Sequence, residues 1–185
     1  ETFLKARGIC PNSSSYYMRG LRAVYNRAVE KELTVQRNPF KHVYTGIDKT
    51  VKRAVPLKII RQIRDADLTL TPATDYARDL FIFSFYTRGM SFVDMAYLRK
   101  KDLQNGVLAY RRQKTGQQLF IKWEKPMQEI VEKYDTSGTP YLLPIIRDME
   151  KDARRQYKNA AHLVNAKLKK LGEQLGLGIP LTTYV

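Results

Sequence analysis

Cysteine and histidine are scarce, and their scarcity excludes two common ways of holding a small domain together. Cys10 is the only cysteine, so no disulfide can form within the chain. His42 and His162 are the only histidines, too few for a Cys/His zinc cluster. Long hydrophobic runs are missing as well, none approaching the ~18 residues of a membrane span. Glu1-Thr2-Phe3-Leu4-Lys5 does not read as a secretory signal. There is no Gly-rich phosphate loop, no Ser-His-Asp set and no His-containing metal motif. These absences lead us to expect an intracellular protein without a membrane span or structural metal.

Acidic residues are also in deficit: 18 Asp and Glu face 33 Lys and Arg, a net charge of +15 over 185 residues. The chain is nevertheless 43% hydrophobic and 11% aromatic, enough for a real core, so the charge is not a sign of disorder. A surplus of this size sits on the surface and attracts a polyanion. The basic residues are spread along the chain rather than gathered on one amphipathic helix, which favours nucleic acid over an anionic membrane.

The apolar periods divide the chain. Pro11-Asn12-Ser13-Ser14-Ser15 offers capping side chains, and Tyr17, Leu21, Val24 and Ala28 follow at helical spacing until Asn38-Pro39 stops the pattern. A helix this isolated reads as part of a bundle. Residues 47–55 are polar, basic and aperiodic, the character of a linker. Pro56 opens a helix with Ile59, Ile60 and Ile63, and Thr71-Pro72 opens another, through Leu80 and Phe83 towards Tyr86, apolar around much of its circumference. A third runs from Ser91 to Leu98. Asn105-Gly106 and Lys114-Thr115-Gly116-Gln117 are turns between three short strands, at 102–103, 107–113 and 119–123. Helix returns after Pro126 and again from near Arg147 to Leu171, with Gly172 and Gly176 unwinding its end. The fold class expected is mainly α with a small three-stranded antiparallel sheet (α+β).

Several of these segments, taken in order, resemble the tyrosine recombinases, the family of phage-type integrases. Phe85-Tyr86-Thr87-Arg88-Gly89-Met90-Ser91-Phe92-Val93-Asp94, with Lys101-Asp102-Leu103 after it, is similar to the family's first-arginine segment. The turn at Lys114-Thr115-Gly116 is similar to its active-site lysine hairpin. Leu21-Arg22-Ala23-Val24-Tyr25-Asn26-Arg27-Ala28, with Asn38-Pro39-Phe40, resembles the end of its core-binding domain. The stretch from Tyr157 to Tyr184 resembles the approach to its His-x-x-Arg box.

The resemblance implies a partial core-binding domain at 1–46, a linker at 47–55 and an incomplete catalytic domain at 56–185. It implies a partner, double-stranded DNA, clamped by a full-length protein that is tetrameric on its target, cytoplasmic and nucleoid-associated, with no cofactor and no membrane. The implied chemistry is cutting and rejoining through a 3′-phosphotyrosyl intermediate, in which arginines stabilise the pentacoordinate phosphorus and the hairpin lysine protonates the leaving oxygen. The family's box and nucleophile would lie beyond Val185, so the 185-residue chain alone is expected not to cleave DNA.

One departure from the family matters. Aligning on Gly89 and Asp94 puts Ser91 where an arginine is expected. Arg88 lies three residues earlier, about one helical turn (~5.4 Å) away, and is the candidate to deliver the guanidinium, with Asp94 in support. The competing reading is a surface arginine on a non-catalytic DNA-binding protein. Lys114 is the second catalytic candidate. Ser13 and Ser15 at a helix start, Arg19, Arg22, Lys49, Lys52 and Arg53 are candidates for phosphate contacts. Arg111 and Arg112 point to opposite faces of a strand, so one of them, Arg112, is placed beside Lys114 at the DNA. A basic RNA-binding protein ranks lower, because no stacking-platform motif is evident.

Overall fold

The structure, a computed structural model, describes residues 1–49 and 54–184. The chain divides into two compact units, Glu1–Lys52 and Arg53–Val185. Lys52 and Arg53, both nominated as phosphate contacts, fall outside the described residues.

The first unit is built on α1 (Thr2–Ala6) and the longer α2 (Pro11–Glu30), with the chain from 33 to 48 returning along α2. That return segment has no regular structure of its own, so its backbone groups need side-chain partners. Asn12 exchanges two hydrogen bonds with the Asp48 backbone, at 3.0 and 2.7 Å. The Ser15 hydroxyl donates to the Gly46 carbonyl at 2.5 Å. The Tyr25 hydroxyl donates to the Val35 carbonyl and accepts from the Arg37 N–H, while its ring packs on Phe40.

These contacts correct one expectation. The Pro11–Ser15 side chains do not cap α2: Cys10 is the N-cap, and no side-chain cap bond forms. The Tyr17-Leu21-Val24 stripe, read from sequence as one face of a larger bundle, is more than half exposed in this chain. The return segment lies instead on the face of Ser15, Met18 and Tyr25, about one residue (~100°) around the helix. Periodicity reveals an apolar stripe. It does not reveal that an irregular partner strand will choose the face able to satisfy its amides.

The second unit has the expected α+β character. Its centre is α4 (Pro72–Tyr86), packed against α3 (Leu57–Arg64), α6 (Lys125–Glu132) and α7 (Ala153–Gln174). Ala77, Leu80 and Phe83 on α4 are fully buried. The short α5 (Phe92–Tyr97) leads through a 3-10 turn into a sheet of order β1 (Leu103–Gln104), β2 (Val107–Arg111), β3 (Gln118–Lys122), antiparallel throughout. Asn105 and Gly106 both have positive φ, as a two-residue hairpin turn requires.

Polar groups tie α4 to its neighbours. Arg78 and Lys133 both pair with Asp75 and with Asp79, and the Tyr134 hydroxyl donates to Asp79 at 2.6 Å. Arg78 also donates to the carbonyls of Arg64 and Ala66, fastening the end of α3. Burial, reinforced by the Asp79 carboxylate, pushes the Tyr134 hydroxyl far above its ordinary value and keeps it a donor.

Two features of the second unit differ from the sequence reading. The helix expected from Arg147 begins at Ala153, capped by Asp152. The Gln156 side chain turns back to accept the N–H groups of Arg147 and Asp148, holding that stretch outside the helix. Gly172 does not unwind α7 but lies within it. A Cβ there would come within 3.2 Å of the Leu181 side chain, so the missing side chain lets the returning chain pack closely. Gly176, with φ +66°, does follow the end of the helix.

The buried run Tyr141–Ile146, whose Leu142 N–H bonds to the Leu98 carbonyl while the preceding Pro140 carbonyl accepts from Lys100, has no helical or strand period and carries no signal in sequence. Core deletions should separate the two apolar sets. Phe83→Ala is expected to cost about 3–5 kcal/mol, while Leu21→Ala should cost less than about 0.5 kcal/mol. Chemical denaturation followed by circular dichroism measures both, and equal losses would contradict the assignment of faces.

Candidate functional site

The candidate site is organised around the end of α4. Thr87 is its C-cap, and the next residues leave the helix through a left-handed turn, with φ +59° at Arg88 and +78° at Gly89. The Arg88 N–H bonds to the Phe85 carbonyl at 3.1 Å and the Gly89 N–H to the Ser84 carbonyl at 2.8 Å. This is the Schellman pair of bonds, and it puts Arg88 at the position glycine usually fills. A side chain in that conformation costs about 1–2 kcal/mol. Arg88 is exposed and makes no ion pair or side-chain hydrogen bond among the described residues.

After the turn, Met90 is buried and its carbonyl accepts from the Ser84 hydroxyl at 2.7 Å. Ser91 is the N-cap of α5. Its hydroxyl lies 2.7 Å from Asp94 Oδ2, and its Oγ accepts from the Asp94 N–H at 3.3 Å. The position where an arginine was expected is therefore occupied by a residue committed to holding Asp94.

Asp94 is 5% exposed, and its second oxygen accepts from the Gln113 N–H at 2.8 Å. One buried carboxylate thus joins the segment carrying Arg88 and Ser91 to the hairpin carrying Lys114. Tyr110, buried beside it, has its hydroxyl pushed above the ordinary value by burial and then by the Asp94 charge.

The hairpin tip closes through the Gly116 N–H to the Arg112 carbonyl and the Arg112 N–H to the Gln117 carbonyl, at 2.8 and 2.9 Å. Gly116 has φ +68°, a conformation that favours glycine. Lys114 stands exposed at this tip, without a side-chain partner among the described residues. Strand β2 ends at Arg111, so Arg112 belongs to the turn, half-buried, while Arg111 lies on the exposed face. The backbone of Gln113 is the site element that sequence reasoning did not nominate. The alternation of faces did identify the choice between the two arginines, but not where the strand stops.

In the first unit, Arg19 and Arg22 are exposed on α2, and Lys49 is exposed beyond the end of the return segment. Ser15 is a correction: it is fully buried, and its hydroxyl is spent on Gly46, so it cannot reach a phosphate. Ser13 is half-buried, with its hydroxyl 3.2 Å from Cys10 Sγ. No family model, curated protein or solved structure matches the chain.

Two stability measurements follow from this geometry. Arg88→Gly should raise stability by up to about 1 kcal/mol, because it relieves the left-handed backbone; a loss would mean the Arg88 side chain has a structural task. Asp94→Ala should cost about 1–3 kcal/mol by stranding the Ser91 and Gln113 donors. It should also speed tryptic cleavage at Lys114, whereas Asp94→Asn, which retains an acceptor for Gln113, should do so less.

Proposed function

We propose that the protein is a DNA strand transferase of the tyrosine-recombinase type, acting on double-stranded DNA through a 3′-phosphotyrosyl intermediate. The second unit would be its catalytic domain and the first part of its core-binding domain. The full-length protein would be a tetramer on DNA, associated with the nucleoid.

The observation that carries this reading is the Asp94 bridge. It fixes the segments carrying Arg88, on a left-handed turn, and Lys114, on a hairpin, relative to one body, and neither cation has an ionic partner among the described residues. In this scheme Arg88 stabilises charge on the nonbridging phosphate oxygens, and Lys114 donates a proton to the departing 5′ oxygen. Asp94 positions both without touching the phosphate. Neither step requires a metal or nucleotide.

A second reading is favoured by one observation. Ser91 stands in the arginine's place and its hydroxyl is already engaged, which suits a DNA-binding protein that keeps the fold without the chemistry. A nicked suicide duplex separates the two. The full-length protein should accumulate a covalent phosphotyrosyl adduct, and Arg88→Ala should slow its formation by about 100-fold or more. Adduct formation at the wild-type rate in Arg88→Ala would remove Arg88 from the mechanism, and no adduct from the wild-type protein would favour the non-catalytic reading. In either case duplex affinity should fall by about 0.9 log units per log unit of salt for each phosphate neutralised. A flat salt response would count against duplex DNA as the partner.

A further inference from the structure

The outward face of the sheet carries a feature that the strand-transfer reading does not use. Register pairs Val107 with Lys122, Ala109 with Phe120 and Arg111 with Gln118, and all six side chains lie on the face opposite the buried Leu108 and Ile121. Phe120 is 67% exposed at the centre of the outer strand. Its cross-strand neighbour is an alanine, too small to cover the ring. Arg111 and Lys122 flank it, neither with an acidic partner among the described residues.

Beside this face is a groove of about 380 Å³, lined by Arg99, Lys101, Ala109, Arg111 and Gln118 among others. The acids that also line it are already engaged: Asp102 accepts the Arg99 N–H at 2.8 Å, and Asp94 accepts from Ser91 and Gln113. The groove therefore presents three cations beside two carboxylates whose positions are fixed by hydrogen bonds, next to an open aromatic ring.

We propose that this face binds single-stranded DNA, with an unpaired base stacked on Phe120 and the adjoining phosphates held by Arg111, Lys122 and the groove cations. The chemistry is that of strand-binding sheets generally: an aromatic side chain offers its π-face to any base, and a cationic channel tracks the backbone. A duplex cannot use Phe120 this way, because its bases are stacked on one another. Acidic peptide is the poorer fit, since a lone exposed phenylalanine contributes nothing to binding carboxylates. The inference stands on the sheet face alone and holds whether or not the chain cuts DNA.

The test uses the full 185-residue chain and a fluorescein-labelled 12-nucleotide oligothymidylate, with a 12-base-pair duplex as comparison, followed by anisotropy. Phe120→Ala is expected to weaken oligothymidylate binding about tenfold, the scale of one aromatic–base stack, and to leave duplex affinity within about twofold. Phe120→Trp should restore binding, with its fluorescence quenched by the oligonucleotide. Arg111→Gln with Lys122→Gln should weaken binding and flatten its salt dependence. Oligothymidylate binding and adduct formation on the nicked duplex are read separately, so failure here and failure of the strand-transfer reading give different patterns. Equal oligothymidylate affinity in Phe120→Ala and wild type overturns the proposal, as does an equal loss for both DNA forms.

Discussion

A buried carboxylate is tolerated only when its oxygens are hydrogen-bonded, and the arrangement of the second unit around Asp94 follows from that requirement. Its donors come from opposite directions: the Ser91 hydroxyl from the start of α5, and the Gln113 N–H from the root of the β2–β3 turn. A two-strand hairpin is marginal on its own. Here the inner residues Leu108 and Ile121 anchor it by burial, and Asp94 anchors it at the tip end. With both ends fixed, the outward face and Lys114 are held in place, not merely attached. The same bridge fixes the position of the segment that follows Arg88.

Much of this was legible in the sequence. Asn105-Gly106 demands a tight hairpin, and the run from Thr71 to Tyr86 is too apolar to be anything but a central helix; the structure has both. Asp94 was legible as a support, although not the identity of its partner, because the Gln113 contribution is a backbone N–H and any residue has one. The left-handed φ of Arg88 left no trace either, since arginine is a poor marker for a position that glycine normally takes.

The misplacements share one cause. Sequence periodicity reports what a helix can bury, whereas the structure is decided by what neighbouring irregular segments need. The 33–48 segment needed hydrogen-bond partners and took the Asn12, Ser15 and Tyr25 face of α2, leaving Tyr17, Leu21 and Val24 outside. Gln156 served the same need for Arg147 and Asp148, and so delayed the start of α7. Ser15 looked like a phosphate ligand for the very property, a short hydroxyl side chain at a helix start, that made it useful as an internal clasp.

That distribution of partners also sharpens the meaning of the net charge. The short acids are largely consumed by backbone amides: Asp67, Asp102, Asp135 and Asp152 each accept a nearby N–H. Asp75 and Asp79 are spent on Arg78 and Lys133 between α4 and α6. An aspartate bound to an amide still carries its charge, but its position is fixed, so it cannot swing out to neutralise a surface cation. The cations at the Arg88 turn and the Lys114 tip therefore have no ionic partner among the described residues, whereas the Arg111 face shares its groove with the fixed charges of Asp94 and Asp102. A chain of the same composition with its acids beside those cations would have the same net charge and a weaker hold on a polyanion. The excess of lysine and arginine is thus only half of the attraction; the other half is where the fold has placed the aspartates.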